Sequence, residues 1–244
     1  MDSGYYAACS ALKTQSNALE IVANNIANVS TVGYRGQMPA FESLMVQTAD
    51  GQMNGWERLT NEFAALNGSR LNMAEGNLEA TGNPLDFAIE GPGFFAVQTK
   101  AGTLYTRNGA FRVSAAGQLV SAAGDPVLSA AGPITIPSGE LAISADGTVS
   151  VNGAVAGKLR MSEFDGNTRL EPAGGSYYAA PENSAKSGTA SSVRQGTLES
   201  SNVSPVAAMV SLISAQRQAE MMERAMSAFY SDFNRIAADE LPKV

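Results

Sequence analysis

The chain has 244 residues, 44% of them hydrophobic and only 16% charged, with a formal net charge of −7. A charged fraction this far below the roughly one quarter of ordinary soluble domains marks a surface meant to be covered, and an acidic chain without clustered Lys or Arg has no footprint for nucleic acid. Histidine is absent and Cys9 is the only cysteine, which excludes Ser-His-Asp and Cys-His arrangements, His/Cys zinc sites and any intramolecular disulfide.

The opening residues carry Asp2 in place of a basic region and no long apolar stretch follows, so they do not read as a secretory signal. No run of about 20 apolar residues predicts a membrane span. From residue 3 to about 29, Tyr5, Ala8, Leu12, Gln15, Leu19, Val22, Ile26 and Val29 alternate at spacings of three and four. That is a heptad seam, and it predicts a helix with Gln15 as its one strongly polar seam member. Asp2 or Ser3 can cap its start, and Gly33 lies just beyond its end. Residues 34–81 hold small apolar islands, Trp56 among them, and read as an extended or partly helical linker.

The period changes to two over residues 82–185. Short runs such as DFAIE, GFFAVQT, TLYTR, AFRVS, GQLVS, LAIS, TVSVN and KLRMSEF are broken by glycine. Three turns are copies of one another, Ser114-Ala-Ala-Gly117, Ser121-Ala-Ala-Gly124 and Ser129-Ala-Ala-Gly132, and Ser144-Ala-Asp-Gly147 is similar. Each puts glycine last, where a tight connection can need positive φ. Strands at this spacing predict an all-β sandwich or open barrel. Residues 186–204 read as a second linker. Ser204-Pro205 then predicts a helix start, with serine as cap and proline at the first helical position. Leu212, Ala215, Ala219, Met222, Met226, Phe229, Phe233 and Ile236 repeat the heptad spacing to the end of the region 205–244. The fold class expected is α+β: residues 1–33 and 205–244 as terminal helices forming a coiled-coil-like core, and an all-β central domain between them.

Both helices carry apolar residues off the seam, Ala11, Ala18 and Ile21 on the first and Val206, Met209, Val210, Ile213, Met221 and Ala225 on the second. A lone helix pair covers only one stripe of each, so the excess predicts a partner surface, and heterologous contacts that do not close a ring build filaments. A membrane surface as partner usually wants a basic polar face, which these helices lack. The subunit-interface candidates are therefore Leu12, Leu19, Val22, Ile26 and Val29 with the second seam. Asn24, Asn25 and Asn28 join them, either bonding to neighbouring subunits or capping the helix end. Asp86 and Glu90 are spaced to share one face of a strand, but as a carboxylate pair they read as surface charge. Gly91-Pro-Gly93 lacks the third glycine and following helix of a phosphate loop and reads as a turn. Cys9 reads as an inert small apolar residue.

Three blocks carry a resemblance. Ala23-Asn-Asn-Ile-Ala-Asn-Val-Ser-Thr-Val-Gly-Tyr-Arg35 resembles a signature of flagellar basal-body rod and hook proteins. Gly82-Asn-Pro-Leu-Asp-Phe-Ala-Ile-Glu-Gly-Pro-Gly-Phe-Phe95, followed by Tyr105-Thr-Arg-Asn-Gly-Ala-Phe111, is similar to a second, and Gln195-Gly-Thr-Leu-Glu-Ser-Ser-Asn-Val203 to a third. Length and the Met1-Asp2 opening fit the proximal-rod branch best and the distal-rod branch next. Ala219 departs from the family, which commonly has an aromatic shortly after Gln216-Arg217. The resemblance implies a structural subunit without cofactor or metal and a helical core built from both termini. It implies copies of itself and other flagellar axial proteins as partners, export through the flagellar type III pathway without a cleaved signal, and a place in the periplasmic rod. It implies no nucleic acid and no direct membrane insertion. Two other classes stay open from the residues alone: a carboxylate-based enzyme acting on peptidoglycan, and a monomeric β-rich binding module with a closed helical hairpin.

Overall fold

Helix α1 spans Asp2–Ala27 and helix α2 spans Pro205–Glu240, in a computed structural model that describes residues 2–42, 65–166 and 168–240. The α2 start falls on the predicted Ser204-Pro205 pair. Helix α1 stops short of the predicted residue 29 because Asn28 begins a turn. The Thr31 N–H donates to the Asn28 carbonyl at 3.1 Å and the Thr31 hydroxyl to Asn28 Oδ1 at 3.2 Å. Gly33 then adopts φ +66°. The chain divides into two units: Met1–Ile26 with Gln37–Ser69 and Pro205–Val244, and Ala27–Gly36 with Arg70–Ser204. The first holds both helices and most of the strand pair Gln37–Glu42 and Ala65–Leu71. Trp56 lies outside the described residues.

The second unit is built on a six-stranded antiparallel sheet. Its strands lie in the order Glu171–Pro172, Tyr177–Ala179, Gly102–Thr106, Phe94–Thr99, Met161–Glu163 and Lys186–Ser187. Successive side chains on a strand point to opposite faces, and the run Phe94–Val97 is buried on both. Phe95 and Val97 join a cluster with Phe87, Phe111, Leu119, Val127, Ile134 and Val149, while Phe94 and Ala96 join one with Tyr105, Phe164, Leu170 and Tyr178. A sheet covered on both faces explains why this stretch reads as continuously apolar rather than alternating.

Each period-two run quoted above contains a strand, so the mixed α+β reading holds. Residues read as linkers also contribute strands. Leu78–Ala80 pairs with Thr197–Glu199, and Phe87–Glu90 with Ser192–Gln195. The glycine-last turns close as the pattern requires. In three of them the glycine N–H returns to the serine carbonyl, Gly117 to Ser114 and Gly147 to Ser144 at 2.9 Å and Gly124 to Ser121 at 3.0 Å. Gly117, Gly124, Gly132 and Gly147 all have positive φ. The three identical turns surround a ring of backbone bonds: Leu119 N–H donates to Ile134, Ile134 to Val127, and Val127 to Leu119, at 2.9–3.2 Å. All three side chains are buried.

Candidate functional site

Two sets of residues stand out, a buried ionic junction in the β unit and the faces of the terminal helices. The junction comprises Arg35, Arg107 and Glu199, each 1% exposed. Arg35 follows the turn after α1, Arg107 follows the strand Gly102–Thr106, and Glu199 ends the strand that precedes α2. Arg35 Nη2 lies 2.8 Å from Glu199 Oε1 and Arg107 Nη1 lies 3.2 Å from Oε2. The two guanidiniums also donate to backbone carbonyls, Arg35 to Ala74 and Arg107 to Ile89 and Gly91. Arg107 sits over the Phe94 ring, 5.0 Å from its centroid. Burial pushes the Arg107 pKa down to about 10 while Glu199 pulls it back up, so the guanidinium stays charged at neutral pH. Two cations therefore share one carboxylate in a site without water contact, and Arg35 Nε and Arg107 Nε have no hydrogen-bond partner among the described residues.

Backbone bonds stitch the same place. Gly33 N–H donates to the Glu199 carbonyl at 2.7 Å, Gly36 N–H to Asn202 Oδ1 at 2.7 Å and Asn202 N–H to the Tyr34 carbonyl at 3.3 Å. Gly33 has to be glycine: a Cβ there would stand 2.3 Å from the Arg107 carbonyl carbon and the Asn108 nitrogen. Gly109 is held as tightly, because its Cβ would meet the Phe87 carbonyl oxygen at 1.6 Å.

Tyr178 completes the junction by accepting the Arg35 N–H at 2.7 Å. Burial pushes its phenol up to about 12, against the opposing effect of that bond. The folded protein therefore keeps this proton between about pH 10 and 12 while the unfolded chain releases it, so the phenol makes stability fall with rising pH in that window and has no effect below it. Alkaline titration at 295 nm should show Tyr178 ionising last, with Tyr177, which burial also raises, above the ordinary tyrosine range. Tyr178→Phe should remove both that late step and its share of the stability slope, and cost about 1–3 kcal/mol at neutral pH by stranding a buried N–H.

The helix candidates separate by face. Along α2, Ala208 and Ala215 are buried and Leu212, Ala219, Met222 and Met226 half-buried. These protected positions keep the three-four spacing of the seam. Gln15 donates its side-chain amide to the Ala215 carbonyl at 2.8 Å, so the polar member of the first seam meets the second. Leu12, Leu19, Val22, Ile26 and Val29 are half-buried. The side chains of Phe229, Phe233 and Ile236, and that of Cys9, lie outside the described residues. On the other side of α2, Val206, Met209, Val210, Ile213 and Met221 are 52–72% exposed. Asn25 grips the Gln37 backbone, donating to its carbonyl at 2.7 Å and accepting its N–H at 2.8 Å. Asn28 is bonded to Thr31, and Asn24 is exposed on α1.

A cavity of about 650 Å³ between Pro84-Leu85 and residues 113–117 and 136–141 has Glu140 as its single titratable lining residue. Asp86 is buried, contrary to the surface reading, because its carboxylate accepts from Thr81 Oγ1 at 2.7 Å and Asn83 Nδ2 at 2.9 Å in a local turn. Glu90 pairs instead with Arg194 at 3.0 Å. No group of three or more potential metal ligands occurs among the described residues, and no described helix is long and apolar enough to cross a membrane.

Comparison with known proteins agrees along the chain. The family "Flagella basal body rod protein" matches residues 6–35, "Flagellar hook protein FlgE/F/G D1 domain" residues 88–151, and "Flagellar basal body rod FlgEFG protein C-terminal" residues 194–233. The flagellar basal-body rod protein FlgF of Caulobacter vibrioides is 34% identical over 252 residues, covering 100% of both chains. That of Mesorhizobium japonicum is 35% identical over 90% of both. The rod protein FlgG of Agrobacterium fabrum is 31% identical over 90% of this chain and 92% of its own. The chain belongs to the flagellar basal-body rod protein family. It is a structural rod protein and not an enzyme.

For a rod protein, the junction is where the three sequence blocks meet. The first block ends on Arg35, the second supplies Ile89, Gly91, Phe94 and Arg107, and the third supplies Glu199 and Asn202. The sequence pattern places Ile89 and Phe94 in strands and Gly91 in a turn, but gives Arg35, Arg107, Glu199 and Asn202 no role. The available signal was a lone charged side chain in the first and third blocks, Arg35 and Glu199, with Arg107 the one cation of the second.

Proposed function

We propose that this chain is an axial subunit of the proximal flagellar rod, assembling helically through its terminal helices to transmit torque. Helices α1 and α2 pair as a coiled-coil-like core. The observation that carries this reading is the two-sidedness of α2. One face follows the heptad seam and is protected, while the opposite face presents Val206, Met209, Val210, Ile213 and Met221 to solvent. A helix apolar on opposite sides needs cover on both, and a single α1 supplies one. Copies of this chain and other axial rod proteins are the partners, reached by type III export. The higher identity to FlgF than to FlgG relatives supports the proximal position. Sedimentation velocity and negative-stain imaging over a dilution series test the proposal. Elongated assemblies should grow with concentration and dissociate on dilution. A chain that stays monomeric throughout, with amides of α1 and α2 already slow to exchange, would refute it.

A further inference from the structure

The junction holds more cation than stability requires. Glu199 and Arg107 alone make a neutral pair, and Arg107 also binds the Ile89 and Gly91 carbonyls, tying the pair to the sheet. Arg35 is the surplus charge. It is 1% exposed, and among the described residues its Nε is unpartnered and no carboxylate besides Glu199 pairs with it, Glu75 acting on the junction only through its field at Arg107. Such a placement costs folding free energy. The best-attested use of a costly buried ionic group is to select one register over its alternatives.

What Arg35 joins is specific. Its guanidinium meets Glu199 and its N–H meets Tyr178, so a single residue ties the segment after α1 both to the segment before α2 and to the central sheet. We propose that Arg35 is a positioning residue for assembly, a latch that holds the two helix roots in one register in the monomer, before any partner arrives. This rests on the assembly reading above and adds to it where the register is set: in the β unit, not only along the helix seams.

The test uses the full-length chain with Arg35→Met, which leaves the neutral Glu199–Arg107 pair in place, and Arg35→Lys, which keeps the charge without the forked geometry. Arg35→Met should keep the denaturation midpoint of the β unit. Amide exchange at Gly33 and Gly36 should accelerate at least about tenfold in the dilute monomer, with amides of the central sheet unchanged. The critical concentration for assembly should rise at least about tenfold, and Arg35→Lys should recover only part of either loss. The latch is refuted if Gly33 and Gly36 exchange as in the wild type, if assembly is undiminished, or if Arg35→Met lowers the midpoint or fails to fold, since Arg35 would then be an ordinary stabilising residue. Exchange is read on the monomer and needs no polymer. Failure of the wild type to assemble would therefore sink the assembly reading separately.

Discussion

Glu199→Gln should destabilise the β unit by about 3–5 kcal/mol, the cost of breaking a buried ion pair from one side. The substitution preserves shape and one acceptor, so packing loss does not explain the effect. What changes is charge: Arg35 and Arg107, each 1% exposed, lose their shared counterion. Glu199 Oε1 also accepts the Gly76 N–H at 2.8 Å, so one carboxylate faces two guanidiniums and a backbone N–H. Urea denaturation followed by circular dichroism measures the loss. Adding Arg35→Met to the same chain should return part of it, because only one cation then remains unpaired, and the non-additivity of the two changes gives the coupling energy. A Glu199→Gln chain within 1 kcal/mol of the wild type would show that the junction is solvated in solution.

Val210→Asp combined with Ile213→Asp should abolish assembly and leave the monomer intact. Both side chains lie on the exposed face of α2, 59% and 52% accessible, and surface substitutions of this kind usually move stability by less than about 0.5 kcal/mol each. In an assembled rod the same face would be buried, and two unpaired carboxylates there would weaken association by at least about 100-fold, about 2.7 kcal/mol. Helix content by circular dichroism should be unchanged, pelletable polymer should vanish, and the variant should fail to restore motility to cells lacking the wild-type protein. The control is Leu212→Asp on the protected face, which should disturb the monomer itself. If the double variant polymerises normally, the exposed face is not an interface.

The helices were legible because a heptad pattern persists over many turns and because Ser204-Pro205 is a strong local start signal. Of the strands from Phe87 to Glu163, Leu128–Ser129 and Gly132–Pro133 lay hidden at the third turn copy; those in the quoted runs were legible as short segments broken by glycine, and the turns from a glycine that takes positive φ. The strands Leu78–Ala80 and Thr197–Glu199 were not, since three residues display no period and each forms only by pairing with the other far along the chain. The junction escaped for a related reason. Arginine and glutamate are almost never fully buried unless paired, and nothing local in Tyr34-Arg35, Thr106-Arg107 or Leu198-Glu199 announces that the partners are each other. Asp86 was read as surface for the same reason, although Thr81 and Asn83, close by in sequence, were there to accept it into a turn.

The ring formed by Leu119, Val127 and Ile134 sets the chain a threading problem. The tetrapeptides beside it are letter-for-letter the same, so nothing inside them tells the polymer which vertex it has reached. Discrimination falls to the pair after each copy, Gln118-Leu119, Asp125-Pro126 and Pro133-Ile134, in two of which a proline removes an N–H at a different place. Make those three alike and the molecule would have several near-equal ways to wind itself up, with no local rule to prefer the right one.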